Sequence, residues 1–164
     1  MGDKEPSIDP RELKPLMYWA GLSLQACQQF EYGVKFLLVV MAERGFGKTS
    51  MPEAMAIIED QNKKTLGQLL RLLKEKVTIS HGWSAALEAG LDARNNIIHR
   101  FLLDNTERIV DPHARPDVLI DLKQLRKSVL AGDQAVREII ETLYAYRGID
   151  YREMNRGFWE EGEH

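Results

Sequence analysis

Cysteine is almost missing from this chain. Its single copy, Cys27, excludes a disulfide scaffold and a multi-cysteine zinc module. Histidine is also scarce: the four copies, at 81, 99, 113 and 164, show no zinc-ligand spacing and no H-E-x-x-H pattern. No metal and no cofactor is therefore expected. A large charge of one sign is lacking too, since 22 basic residues face 25 acidic ones for a net −3. That excludes a bulk polycation and confines any nucleic-acid contact to a local patch. Long apolar runs are absent as well. The most apolar stretch, Val34 to Ala42, contains Lys35 and falls well short of the roughly 20 residues needed to cross a bilayer. Met1 to Pro10 has no apolar segment of a secretory signal. A cytoplasmic protein with no membrane partner is the expectation.

What remains suffices for a core. The 164 residues are 44% hydrophobic and 29% charged, the balance of one ordinary globular domain. Apolar residues recur at three and four, which argues for helices. One long helix is expected from Leu16 to Met41, stopping at the Gly45-Phe46-Gly47 stretch. Ser50 with Glu53 and Thr65 with Gln68 are capping-box signals for two shorter helices. Ser80 opens a fourth, from Trp83 to about Leu103. A loop is expected from Asp104 to Pro116, and a last helix from Asp117 through Tyr146, with Gly132 as its weak point. The predicted fold class is all-α, an antiparallel bundle of about five helices. Its expected limits are a lead at 1–12, the bundle at 13–147 and a tail at 148–164, with Phe158 and Trp159 able to dock the tail.

Ala42 to Thr49, AERGFGKT, matches a relaxed phosphate-loop pattern in which Lys48 and Thr49 would hold phosphates and magnesium. A true phosphate loop needs a parallel sheet, and only Val118 to Asp121 looks even faintly like a further strand. The match reads instead as the glycine-terminated end of the first helix.

The most informative residues lie on the fourth helix. With Leu87 at zero on a helical wheel, Leu91, Ile98 and Leu102 fall at about 40°, 20° and 60°, an apolar stripe. Arg94 falls at about −20°, within it. An arginine there needs a carboxylate, a phosphate or a cleft between subunits. Asp92, Asn95 and His99 share one polar edge beside it. A fixed cation, an amide and a titratable base at one rim suit phosphate chemistry. Arginine stabilises extra negative charge on a phosphoryl group, and histidine moves a proton near neutral pH.

The stretch Arg94-Asn95-Asn96-Ile97-Ile98-His99 resembles the signature of the HEPN superfamily, an arginine, often an asparagine, then a histidine on a late helix of a small helical bundle. The segment Lys63 to Leu70 is also similar to small prokaryotic members, and the resemblance spans roughly 13 to 145. It implies a metal-independent endoribonuclease that leaves a 2′,3′-cyclic phosphate and a 5′-hydroxyl. It gives His99 the acid/base role, Arg94 the electrostatic role and Asn95 an orienting role. It further implies a two-fold homodimer with its motifs across a shared cleft, RNA as substrate, and use as a toxin with an antitoxin or in defence. Many members are instead non-catalytic modules that bind a protein or nucleotide, which is the alternative here. Phe101 stands where one toxin branch has a modifiable tyrosine.

Glu31, near Gln25, Gln28 and Gln29 on the first helix, is a candidate partner for Arg94. Arg100 is a candidate phosphate contact. Lys63 with Lys64, and Lys123 with Arg126 and Lys127, are candidate RNA patches, though each fits a solvated helix face better. Trp19, Trp83 and Phe101 fit core packing better than base stacking. Cys27 fits a small core residue.

Overall fold

The computed structural model describes residues 9–45, 50–59, 65–76, 78–146 and 148, with the side chains of 54, 57–59 and 76 left aside. Among them are seven helices: α1 (Pro10–Glu43), α2 (Met51–Glu59), α3 (Leu66–Lys76), α4 (His81–His99), α5 (Phe101–Asp104), α6 (Thr106–Val110) and α7 (Arg115–Ala145). No strand occurs among the described residues. The fold is an all-α helical bundle of five substantial helices and two short ones. No helix among the described residues is long and apolar enough to cross a membrane.

The local starts and stops follow the sequence chemistry. The Ser50 N–H donates to Glu53 Oε2 at 2.9 Å, and the Glu53 N–H donates back to Ser50 Oγ at 3.4 Å. Thr65 and Gln68 repeat that reciprocal pair at 2.9 and 3.4 Å. Ser80 Oγ accepts from the Trp83 N–H at 3.3 Å, which fixes the start of α4. Each pair satisfies amides that a helix start leaves open. At the far end of α1, Gly45 takes φ +71°, the left-handed turn that favours glycine.

Three boundaries differ from the sequence reading. Helix α1 starts at Pro10, because Asp9 caps it by accepting from the Arg11 N–H at 2.9 Å. The expected loop from Asp104 to Pro116 contains α6, and α7 begins at Arg115 with Pro116 in its first turn, where a missing N–H costs nothing. The expected single helix from Trp83 to Leu103 is broken at Arg100, whose backbone (φ −130°, ψ −39°) leaves the helical region. Helix α7 by contrast runs unbroken through Gly132. Ala42 lies inside α1 and Val118–Asp121 inside α7, so no sheet among the described residues supports a phosphate loop; Lys48 and Thr49 lie outside the described residues, as do Lys63, Lys64, Phe158 and Trp159.

Packing centres on α1, α4 and α7. Helices α1 and α7 depart from the expected antiparallel order and run the same way, because α4 intervenes between them in the chain and runs against α7: Glu12 meets Arg115 at 2.7 Å near their starts, and the Arg44 guanidinium lies 4.6 Å from the Tyr144 ring centre near their ends. Helix α4 runs against α7, with Trp83 Nε1 donating to Glu138 Oε2 at 2.8 Å. The two cross at a pair of glycines around a fully buried ring. A Cβ on Gly90 would stand 3.1 Å from Gly132 Cα and 3.2 Å from Phe30, and a Cβ on Gly132 would stand 3.0 Å from Phe30. Phe30 has no exposed surface. The absence of two side chains lets the helices close over one aromatic.

Candidate functional site

Helix α4 presents its buried face through Leu87, Gly90, Ala93 and Ile97, continued by Phe101 at the start of α5. This corrects the wheel reading. Ile98 and Leu102 are 37% and 47% exposed, so the buried face is turned away from the expected stripe. The displacement arises because glycine and alanine, invisible to a search for large apolar residues, mark the closest helix approach. Arg94 still lies at the margin of the buried face, its side chain 19% exposed.

Arg94 finds the carboxylate its position demands. Its Nη2 donates to Glu31 Oε2 on α1 at 2.9 Å. Its Nη1 donates to Asn95 Oδ1 at 3.1 Å. Lys35 Nζ donates to the other oxygen of Glu31 at 3.1 Å. One half-buried carboxylate thus holds two cations, one of them a turn further along α1. The Nε of Arg94 is buried with no acceptor among the described residues. Each terminal nitrogen keeps a second N–H, so the fork can still donate to an anion in front of it.

That space is an open groove of about 600 Å³. It is lined by Asp92, Arg94, Asn95, Asn96, His99 and Arg100 from α4 and its end, and by Thr65 and Gly67 from the start of α3. The structure therefore brings Arg94, Asn95, His99 and Arg100 to one groove, with Glu31 behind Arg94. His99 and Arg100 are exposed, and the His99 ring makes no hydrogen bond among the described residues. Gln25, Gln28 and Gln29 are solvent-exposed on α1. Phe101 is buried at 4% exposure, and Trp83 packs against the core.

Thr65, Gly67 and Asn96 are groove residues that sequence reasoning did not single out as such. The signal for the first two was present: the Thr65 capping box fixes where α3 starts, and Gly67 lets that start lie against Leu91, 3.6 Å from where its Cβ would be. The positive end of the α3 dipole adds to the charge of Arg94 and Arg100, while Asp92 opposes it. Among the described residues no group of three or more His, Cys, Asp or Glu side chains is placed to hold a metal ion.

Burial works against the ionised form of Glu31, but the hydrogen bonds and charges of Lys35 and Arg94 outweigh it and hold the carboxyl below its usual value. Stability from this cluster is therefore complete above the ordinary glutamate range and is lost as pH falls through the lower folded value. Glu31→Gln should cost about 1–3 kcal/mol at neutral pH, and its unfolding temperature should converge on that of wild type as the pH is taken below the ordinary glutamate range. Thermal unfolding of both proteins across that range is the check; a gap that persists in acid contradicts the ion-cluster assignment.

Cys27 lies one turn before Glu31, 1% exposed. Burial pushes its thiol up to about 11, with Arg94 pulling weakly the other way. The expected behaviour is a thiol inert to a disulfide-exchange reagent near pH 8 until the chain unfolds. Rapid labelling of the folded protein would contradict this packing.

No family model, no curated protein and no solved structure matches the chain.

Proposed function

We propose that the groove is the active site of a metal-independent endoribonuclease of HEPN type. The observation that carries the reading is the convergence of Arg94, Asn95, His99 and Arg100 on one open groove, with Arg94 oriented from behind by Glu31. An RNA 2′-hydroxyl would attack the adjacent phosphorus while the neutral His99 ring accepts its proton. The bond from phosphorus to the 5′-oxygen breaks, and that oxygen leaves with a proton from an imidazolium. The products are a 2′,3′-cyclic phosphate and a 5′-hydroxyl. Arg94 and the amide of Asn95 donate to the phosphoryl oxygens as negative charge grows, and Arg100 holds a neighbouring phosphate. A homodimer with two such grooves facing each other would supply a second imidazole for the proton return. A toxin held in check by an antitoxin, acting in the cytoplasm, is the setting that fits an RNA-cutting activity of this kind.

One observation favours a second reading. The His99 ring has no hydrogen-bonding group behind it among the described residues, whereas a working base is usually oriented by a third group. On that reading the groove binds a nucleotide or a protein and does not cut. The deciding experiment incubates end-labelled single-stranded RNA with the protein in EDTA. Cleavage by wild type that disappears in His99→Ala supports the nuclease. RNA left intact by wild type, with the labelled strand still bound, supports the binding module.

A further inference from the structure

The acidic residues of this chain are not spread evenly. Residues 13–30 of α1 contain no carboxylate, and neither do residues 122–132 of α7. The two stretches run side by side in the same direction, and they carry Lys14, Lys123, Arg126 and Lys127. In a protein of net charge −3 this seam is a local positive field.

Aromatic rings sit in the same seam. Lys123 Nζ lies 4.6 Å from the centre of the Trp19 ring, and the Arg126 guanidinium carbon lies 5.6 Å from it. Tyr18 meets Trp19 edge-on at 6.0 Å and is itself 64% exposed. Neither Lys123, Arg126 nor Lys127 forms an ion pair among the described residues, and the buried Nε of Arg126 has no acceptor there. Trp19 thus anchors two cations by their attraction to its ring face. No ion pair among the described residues compensates their charge.

We propose that this seam between α1 and α7 is a second contact surface for single-stranded RNA, and this assignment of the ligand rests on reading the groove as a ribonuclease site. Single strands are held by cations that follow the phosphates and by ring faces on which bases stack. The Trp19 face is already occupied by cations, so stacking falls to Tyr18, while Lys123, Arg126 and Lys127 meet phosphates. Trp19 precedes Glu31 by twelve residues on α1, which places the seam roughly 18 Å along the helix axis from the ion pair behind the groove. Twelve residues also turn the helix by about 120°, so the seam lies on a different side of α1 from Glu31 and is a contact separate from the groove.

The test uses the full chain carrying His99→Ala and a fluorescein-labelled uridine dodecamer, with binding read by polarisation in EDTA at low and moderate salt. Adding Lys123→Glu and Lys127→Glu should weaken binding at least about tenfold and reduce the salt dependence by about one to two phosphate contacts. Tyr18→Ala should weaken it about five- to tenfold, and Tyr18→Phe should restore it. The charge reversals lie on exposed positions, and unchanged thermal unfolding will show that the fold is kept. Affinity within twofold of the parent for both the charge-reversal and Tyr18→Ala proteins overturns the proposal. So does a seam whose charge reversal abolishes binding to anionic lipid vesicles but not to the dodecamer. Cleavage by the chain with its native His99 is measured in parallel. Cleavage together with unimpaired binding by the reversal variant sinks the seam alone. Absence of cleavage together with weakened binding sinks the ribonuclease reading alone.

Discussion

His99→Ala is expected to lower RNA cleavage by about 10²–10⁴-fold, the range a positioned acid/base contributes. Its folded stability should be unchanged, because the ring is exposed and bonded to nothing among the described residues. Arg94→Ala should lower cleavage by about 10²–10³-fold, the effect of removing one preorganised donor to a developing charge. Arg94 differs from His99 in that it also holds the fold. Without it Glu31 keeps only Lys35, so the variant should unfold at a lower temperature as well. Arg94→Lys should keep much of that stability but little activity, since an ammonium cannot bridge Glu31 and a phosphoryl oxygen with one planar fork. Initial rates on labelled RNA with parallel thermal unfolding separate these outcomes. A His99→Ala protein that cuts like wild type would remove His99 from the chemistry.

The largest structural effect is expected at Phe30. Its ring fills the space that Gly90 and Gly132 leave at the crossing of α4 and α7, with no exposed surface. Phe30→Ala should cost about 3–5 kcal/mol, since neither glycine has a side chain to collapse into the cavity. In a chain of this length that corresponds to a fall of roughly 10–15 °C in unfolding temperature. Gly132→Ala is the informative companion. Its Cβ would stand 3.0 Å from Phe30, so overpacking should destabilise the fold despite alanine's higher helix propensity. Denaturant or thermal unfolding reads both; a Gly132→Ala protein more stable than wild type would contradict the close-packed crossing.

Much of this architecture is legible in the chain because its signals are local. Ser50, Thr65 and Ser80 cap the helices they were expected to cap, and Gly45 ends α1 through a backbone angle that favours glycine. The Arg94–Glu31 pair was open to sequence reasoning too, because an arginine on the buried side of a helix needs a carboxylate and α1 offers one. What escaped depends on tertiary contact. The face of α4 is set by Gly90, which meets Gly132 and Phe30, and by Ala93, a small residue that is itself buried. The break at Arg100 has no proline or glycine to announce it, and Phe101 is buried beyond it. The start of α3 joins the groove because of how α3 lies against Leu91, which no spacing within α3 encodes.

If Arg94 and His99 direct attack by a substrate's own 2′-hydroxyl, the ends of the products carry its mark. Two oligonucleotides of one sequence would be incubated with wild type in EDTA, one all RNA and one DNA, and their products analysed by mass. Only the RNA should be cut, leaving a 2′,3′-cyclic phosphate on one fragment and a 5′-hydroxyl on the other. Cleavage of the DNA strand, or fragments that carry a 5′-phosphate, would contradict it.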